Sequence, residues 1–287
     1  MLLHRQELKN MFWCQNQPCS LSSFLFLAFI IFFIFLSGVA SAQTTTSAFT
    51  TTSGPITNIT APLRFLLVGD SFVATSSPVG ELLKKSLLSY SGVQVYRLGK
   101  VSSGLARPDF FDWNTKAKEL VNLFQPNVVV IMLGANDDQP LKVMNEQGQK
   151  RYLKFGTAQW REEYGRRVAN FIKIFQDHEA TVFWVGLPIM RDQDRAERMK
   201  VINSVCQKQI KGLENSYFIA TWELLCNKKG GYAAFLPNQK GQYQATHASD
   251  GIHLSFFSGS ILVKQILGQV DALLALNNSR WHVLGSR

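Results

Sequence analysis

The segment that most limits the fold is a run of seven residues, Asn-Val-Val-Val-Ile-Met-Leu at 127–133, in which apolar residues follow one another without polar alternation. β-Branched residues favour strands, and a strand without a polar face is buried on both sides, as in a parallel sheet covered by helices. Neighbouring parallel strands need a crossover, which is usually a helix. The run therefore predicts an α/β fold with a parallel sheet.

Strand-like and helix-like segments alternate along the rest of the chain. The other predicted strands are Arg64–Val68, Val93–Leu98, Thr181–Val185 and Tyr217–Ala220. The predicted helices run from Ser77 to about Tyr90, over Thr115–Phe124 and Thr157–Gln176, from about Asp192 to Lys211, and from about Ser255 to Leu276. This order predicts a parallel sheet of about five strands with helices on both faces, in one domain over residues 62–276.

Two segments interrupt the alternation. Residues 138–156 are polar and basic, and they are predicted as an insertion over one end of the sheet. In the segment 232–243, the sequence Asn-Gln-Lys-Gly at 238–241 lies between apolar flanks and predicts a hairpin.

The first 42 residues have the three parts of a secretory signal. Basic residues precede an apolar stretch from Leu21 to Val39, and Ala40-Ser41-Ala42 follows as an A-x-A cleavage site. We expect cleavage after Ala42; the alternative is an uncleaved anchor, because residues 21–39 are just long enough to span a bilayer. In either case the rest of the chain is exported. The Thr/Ser-rich residues 43–61 are expected to be a flexible linker, and residues 277–287 a C-terminal tail.

Composition narrows the chemistry. The formal net charge is +10, which suits an anionic partner or surface but does not identify it. The sequence has no phosphate-binding glycine loop, no dinucleotide-binding glycine motif and no paired Cys/His spacing for zinc, so we predict no cofactor and no metal. Export and the lack of a known motif also disfavour nucleic-acid binding. Cys206 and Cys226 either pair as a disulfide or remain two buried thiols.

Unusual residues follow the predicted strands, where ligands of parallel sheets bind. Gly69-Asp70-Ser71 follows the first strand, the Gly99–Gly104 loop the second and Gly134-Ala135-Asn136-Asp137 the third, while Asp250-Gly251-Ile252-His253 precedes the last helix. Any one of these residues alone is more often a helix cap, a turn residue or a loop glycine. Their occurrence in order at one edge of the sheet favours a shared site.

These residue types supply the parts of acyl transfer. The Ser71 hydroxyl is a weak nucleophile until a base takes its proton, and His253 is the candidate base. Asp250, three residues earlier, is the candidate group that orients the imidazole. The oxyanion of the tetrahedral intermediate needs donors, and the N–H groups of Ser71 and Gly104 with the Asn136 amide would supply three.

The four clusters resemble the blocks of the SGNH (GDSL-like) hydrolase superfamily, which supply Ser, Gly, Asn and His. The matching sequences are Val68-Gly69-Asp70-Ser71-Phe72, Ser103-Gly104, Gly134-Ala135-Asn136-Asp137 and Asp250-Gly251-Ile252-His253. The resemblance implies a three-layer α/β/α, flavodoxin-like sandwich with Ser71 as nucleophile, His253 as base and Asp250 as its orienting acid. It also implies that Gly104 and Asn136 bind the oxyanion together with the Ser71 N–H.

Several positions depart from the family pattern or have alternatives. The first block of the family often ends in Leu, Ile or Thr, where this chain has Phe72. The second block often has Asn before its glycine, whereas this chain reads Gly-Lys-Val-Ser-Ser-Gly at 99–104, which leaves Gly99 and Gly104 as alternatives. His247 is the rival candidate for the base, because it too lies close to Asp250 in the sequence.

The run 102–113 resembles an exported bacterial branch of these proteins, and related envelope branches add or remove O-acetyl groups on polysaccharides. We therefore expect a periplasmic serine esterase or O-acyltransferase with an acyl-serine intermediate, acting on acylated cell-envelope glycans or another ester. A membrane acyl-donor protein is a candidate partner, and an uncleaved segment 21–39 would anchor the protein in the inner membrane. The alternative is a non-catalytic glycan- or lipid-binding module that uses the basic segment 138–156 and the aromatic stretch 110–113.

Overall fold

The computed structural model describes residues 62–277. The expected signal or anchor segment, the linker at 43–61 and the tail beyond Asn277 lie outside these residues. Within the described part of the chain, no helix is both long enough and apolar enough to cross a membrane.

Strands and helices alternate through the described residues. In chain order they are β1 (Leu63–Gly69), α1 (Pro78–Leu88), β2 (Val93–Gly99), α2 (Trp113–Phe124), β3 (Val128–Met132), β4 (Leu141–Met144), β5 (Lys150–Leu153), α3 (Ala158–Gln176), β6 (Thr181–Val185), α4 (Gln193–Ile210), β7 (Ser216–Ile219), β8 (Phe235–Pro237), β9 (Tyr243–Ala245) and α5 (Phe256–Asn277).

Five parallel strands form the central sheet in the order β2-β1-β3-β6-β7. On one side of it α1 packs against α5, and on the other α3 packs against α2 and α4. This is the predicted three-layer α/β/α sandwich with flavodoxin-like strand order. The order reverses between β1 and β3, and a crevice at such a reversal, beyond the carboxyl ends of the strands, is where these folds bind ligands.

The apolar run at 127–133 contains β3, the middle strand of the sheet. All five of its residues are buried, and β1 and β6 pair with it on either side. Asn127, predicted as part of this strand, instead lies just before it. Its side-chain oxygen accepts the N–H of Arg64 at 2.9 Å, so it fixes the start of the pairing between β1 and β3.

The two interrupting segments both contain antiparallel hairpins. In the basic segment, β4 pairs with β5, which the sequence did not predict as strands. The hairpin of β8 and β9 confirms the prediction around residues 238–241: the N–H of Asn238 donates to Gln242 O at 2.8 Å, and Gly241 has a φ of +75°.

Cys206 and Cys226 are both free thiols. Cys206 is buried in α4, and the thiol of Cys226 contacts the carbonyl oxygen of Glu223. The disulfide alternative is therefore not realised in this fold.

Candidate active site

The turn after β1 is built around the buried side chain of Asp70. One carboxylate oxygen accepts the N–H of Phe72 at 3.1 Å, and the other accepts those of Gly134 and Ala135 at 3.1 and 3.0 Å. Burial raises the pKa of Asp70 to about 6, against the effect of these hydrogen bonds and with a smaller contribution from the charge of Asp137. Asp70 therefore joins the ends of β1 and β3, the strands on either side of the crevice.

Close contact between these strand ends requires a glycine before Asp70. A Cβ at Gly69 would lie 2.1 Å from the carbonyl oxygen of Met132. After the turn, Ser77 caps α1 with Pro78 in its first turn, as predicted, and the Ser77 hydroxyl also donates to Phe72 O at 2.5 Å. The loop carrying Ser71 is thus held at both ends.

The loop after β2 is held by the second buried carboxylate, Asp137. Its oxygens accept the N–H of Leu105 at 2.9 Å, that of Ala106 at 2.8 Å and the hydroxyl of Tyr164 at 2.8 Å. Burial raises the pKa of Asp137, while these hydrogen bonds and the charge of Arg167 oppose the shift. Asp137 thereby fixes this loop beside the end of β3.

The backbone N–H groups of Ser71 and Gly104 have no hydrogen-bond partner among residues 62–277. The neighbouring N–H groups are occupied: Ser103 donates to the carbonyl of Lys100, and Leu105 to Asp137. The Asn136 side-chain amide donates to Ser103 O at 3.0 Å, which uses one of its two hydrogens. Three donors are therefore available for a developing negative charge.

The structure favours Gly104 over Gly99 as the glycine of the second block. Gly99 is the last residue of β2, where a Cβ would lie 2.2 Å from the backbone nitrogen of Ala74. The role of Gly99 is therefore to let β2 approach the turn after β1. At Gly104, a Cβ would meet the carboxylate of Asp137 instead.

The residues Asp250, His253 and Ser71 form one chain of hydrogen bonds. Oδ2 of Asp250 lies 2.6 Å from Nδ1 of His253, and Nε2 of His253 lies 2.8 Å from Oγ of Ser71. Because a carboxylate only accepts, Nδ1 carries the proton and Nε2 is free to accept from the Ser71 hydroxyl. This is the arrangement of a nucleophile, a base and an orienting acid.

The turn that carries His253 is organised by the same aspartate. Oδ1 of Asp250 accepts the N–H of Ile252 at 2.8 Å and that of His253 at 3.0 Å. Partial burial opposes ionisation of Asp250, but the hydrogen bond from the His253 ring and these two N–H groups outweigh it and lower its pKa to about 2. Phe72, the residue at which the first block departs from the family pattern, is buried. Its ring centroid lies 5.6 Å from that of the His253 imidazole.

His247, the rival base, is buried away from Ser71. Its Nε2 lies 2.9 Å from the carbonyl oxygen of Ile189, and its Nδ1 lies 2.8 Å from the hydroxyl of Thr246. Burial lowers the pKa of His247, against the effect of its hydrogen bond to the carbonyl oxygen of Ile189. Both ring nitrogens are engaged within the fold, which makes His247 a packing residue.

The aromatic stretch at 110–113 divides between core and surface. Trp113 is 2% exposed, and its indole N–H donates to the Ser103 hydroxyl at 3.0 Å. This hydrogen bond helps to hold the second block in place. Phe111 packs edge-on against Trp113, whereas Phe110 is 50% exposed. Phe110 is therefore the most exposed of the three rings, with Nζ of Lys100 5.7 Å from its ring centroid.

Sequence reasoning named Asp70 and Asp137 as block members but gave neither a role. Each lies next to a predicted site residue, Ser71 or Asn136. An acidic residue directly after an apolar strand is the signal that would have indicated a buried, hydrogen-bonded carboxylate. Among the described residues, no group of three or more His, Cys, Asp or Glu side chains could hold a metal ion.

The flavodoxin-like sandwich, with the Ser, Gly, Asn and His blocks at the carboxyl edge of its sheet, is the fold that the resemblance to the SGNH (GDSL-like) hydrolases implied. The chain belongs to the family described as "Protein of unknown function (DUF459)", whose model matches residues 64–269.

Solved structures with this fold include a catalytic mutant of Axe2, an acetylxylan esterase from Geobacillus stearothermophilus, at 16% identity and a TM-score of 0.50 over 72% of this chain and 93% of that chain. Another is LAE5, an alpha/beta hydrolase enzyme from the metagenome of Lake Arreo in Spain, at 14% identity and a TM-score of 0.51 over 72% of this chain and 94% of that chain. At these identities the likeness concerns the fold. No curated protein matches the sequence.

Proposed function

We propose that the protein is a serine-dependent esterase or O-acyltransferase of the SGNH type that works through an acyl-serine intermediate. The observation that carries the proposal is the continuous chain of hydrogen bonds from Asp250 through His253 to Ser71. The free N–H groups of Ser71 and Gly104 and the Asn136 amide support it, because acyl transfer needs oxyanion donors beside the nucleophile.

In the proposed reaction, Ser71 Oγ attacks the ester carbonyl while its proton moves to Nε2 of His253. The carbonyl oxygen becomes an oxyanion that accepts hydrogen bonds from the three donors. When the tetrahedral intermediate collapses, the bond to the alcohol oxygen breaks, and Nε2 returns the proton to that oxygen. The ionised Asp250 stabilises the imidazolium in between.

In the second half of the reaction, an acceptor takes the acyl group from Ser71. In a hydrolase the acceptor is water, and in a transferase it is a sugar hydroxyl; both need the same base and the same oxyanion donors. The two activities therefore differ in what reaches the acyl-serine. An acyltransferase would receive its acyl groups from a membrane acyl-donor protein.

For the substrate we propose acylated, above all O-acetylated, glycans of the cell envelope, met in the periplasm after export. Export is supported by the signal-like residues 1–42. The exposed ring of Phe110, next to Lys100 of the loop after β2, suits stacking against a sugar ring. Axe2, which shares the fold, is an acetylxylan esterase.

A non-catalytic binding module is the weaker alternative. It would not need a base in hydrogen-bond contact with a serine, nor three unused donors in the same crevice. Two of the aromatic residues that favoured it, Phe111 and Trp113, pack against each other instead of facing a ligand.

Labelling with a fluorophosphonate probe, followed by peptide mapping, tests the proposal. We expect the probe on Ser71 alone, no label on Ser71→Ala or His253→Ala, and full label on Ser76→Ala, an exposed serine of the same loop. Release of p-nitrophenol from p-nitrophenyl acetate, with and without a glycan acceptor, then separates hydrolase from transferase. A wild-type protein that neither takes the label nor cleaves the ester would overturn the proposal.

A further inference from the structure

A cavity of about 610 Å³ opens next to the candidate active site. Its walls are formed by the loop before α4, the first turn of α4 and the turn that carries His253. The lining residues are Arg191, Asp192, Gln193, Arg195, Asp250 and Ile252.

The two arginines of this cavity have hydrogen-bonding capacity to spare. The side chain of Arg191 makes no hydrogen bond or ion pair with any residue in 62–277. Arg195 donates from one terminal nitrogen to Ala135 O at 2.9 Å, but its Nε is buried without a partner. That nitrogen is too deeply buried for a ligand to reach, but the other terminal nitrogen of Arg195 also makes no hydrogen bond within residues 62–277 and is not buried, so it can donate to a ligand.

The acidic residues of the cavity do not neutralise these arginines by ion pairing. Oδ1 of Asp192 accepts the backbone N–H of Arg195 at 2.7 Å and caps α4. The carboxylate of Asp250 is committed to His253 and to the turn around it. Two guanidinium groups therefore line one cavity without a carboxylate partner, which is a suitable arrangement for a carboxylate or phosphate group.

The arginines are also attached to the site that they border. The N–H of Arg191 donates to Gly251 O at 2.9 Å, and its side chain packs so closely on Gly251 that a Cβ there would lie 2.6 Å from Cβ of Arg191. Gly251 has a φ of +71°, and it is the second residue of the block that ends in His253. Arg195 is bound to Ala135, the neighbour of Asn136.

The position of the cavity relates it to the alcohol part of the ester. Asp250 lines the cavity and holds His253, the group that would return a proton to the leaving alcohol. The alcohol part of the ester must come close to His253, and the cavity reaches Asp250, the residue that orients this ring.

We propose that Arg191 and Arg195 form a subsite for a carboxylate or phosphate group on the alcohol part of the ester. The inference rests on the proposed function and narrows its substrate to acylated anionic compounds, such as acidic or phosphorylated glycans. The neutral acetyl group would lie at Ser71, and the charged group of the alcohol part in the arginine cavity.

A matched set of acetate esters tests this directly. 4-Acetoxybenzoate carries a carboxylate on the alcohol part, methyl 4-acetoxybenzoate is its neutral counterpart, and 4-acetoxyphenyl phosphate carries a phosphate. For wild type we expect kcat/KM to be higher by about tenfold or more for at least one anion than for the neutral ester, because charge-assisted pairs to arginine are strong. The anionic ester with the higher kcat/KM shows whether the subsite prefers a carboxylate or a phosphate.

Variants then locate the effect. Arg191→Gln should bring the ratio of anionic to neutral kcat/KM toward one, and Arg191→Lys, which keeps the charge but loses the fork, should retain part of it. Lys208→Gln removes the same charge at the exposed far end of α4 and should retain the wild-type ratio. A wild-type ratio near one, or an equal loss in Lys208→Gln, would overturn the subsite while leaving the esterase proposal intact.

A second measurement does not depend on turnover. Calorimetric titration of 4-hydroxybenzoate and of inorganic phosphate into Ser71→Ala should show binding that Arg191→Gln weakens by about tenfold. If wild type cleaves no ester but this arginine-dependent binding is found, the proposed function fails and the anion subsite stands. If neither is found, both are wrong.

Discussion

Gly104 lies directly against Asp137: a Cβ on Gly104 would come within 2.0 Å of Oδ1 of that aspartate. The carboxylate cannot move aside easily, because it also accepts from Leu105, Ala106 and Tyr164. The absence of a side chain therefore lets the loop after β2 pack on the buried carboxylate, and it leaves the Gly104 N–H without a hydrogen-bond partner among residues 62–277. The glycine of the second block and the aspartate of the third are one structural unit.

Gly104→Ala should damage both stability and turnover. Overpacking against a fixed group typically costs about 1–3 kcal/mol, and moving one oxyanion donor should lower kcat by about 10²-fold or more. Thermal unfolding and esterase kinetics measure the two effects. Gly268→Ala is the control, since a Cβ in that helix meets nothing within 4 Å and should not destabilise the protein. Normal kinetics in Gly104→Ala would contradict this role.

Asn136→Ala should lower kcat by about 10²–10³-fold with little change in KM, if its amide binds the oxyanion mainly in the transition state. The loss of its hydrogen bond to Ser103 O should add only a modest loss of stability, about 1 kcal/mol. Steady-state kinetics with p-nitrophenyl acetate give both parameters. An effect confined to KM would instead make Asn136 a binding or turn residue.

Asp250→Asn should slow turnover by up to about 10⁴-fold. The asparagine oxygen can still accept from Ile252 and His253, but its amide then faces Nδ1 and forces the imidazole proton onto Nε2, toward Ser71. In wild type the pKa of Asp250 is about 2, so the carboxylate is ionised throughout the neutral range. Kinetics at neutral pH, with circular dichroism to confirm folding, provide the test; a loss below about tenfold would argue against an orienting role.

The two histidines should respond differently to substitution. His253→Ala removes the proposed base and should leave only residual activity. Its melting temperature should be nearly unchanged, because the His253 side chain is 40% exposed. His247→Ala removes a buried ring bonded to Ile189 and Thr246, and should lower the melting temperature by several degrees while turnover persists. The reverse pattern would show that the base is assigned to the wrong histidine.

Asp70 should make stability depend on pH. Its pKa is raised from 3.8 to about 6, so the folded protein binds this proton more tightly than the unfolded chain. The contribution of Asp70 to the free energy of unfolding therefore falls as the pH rises through this range, by at most about 3 kcal/mol. Urea denaturation at several pH values from 4 to 7 should show the advantage of wild type over Asp70→Asn shrinking as the pH rises. An advantage that grows with pH would contradict the raised pKa.

The sequence alone determined the class of fold and the members of the site. The apolar run at 127–133 and the alternation around it predicted the parallel sheet, because a strand buried on both faces must be apolar throughout. Ser71, Asn136, Asp250 and His253 were identifiable because their order along the chain places them at the carboxyl edge of such a sheet. Local hairpin and capping signals, as at Ser77, were also readable, since their chemistry involves neighbouring residues only.

Only the tertiary structure decided between candidates that look alike in sequence. Gly99 ends β2 and Gly104 lies in the loop that follows, but only packing shows that the first meets the turn after β1 and the second meets Asp137. His247 and His253 both lie near Asp250, but the depth of burial and the partners of the ring nitrogens separate them. The roles of the buried carboxylates and of the two arginines likewise depend on contacts between residues about 30 to 65 positions apart. Such pairings follow from how whole strands and loops pack, and no local pattern encodes them.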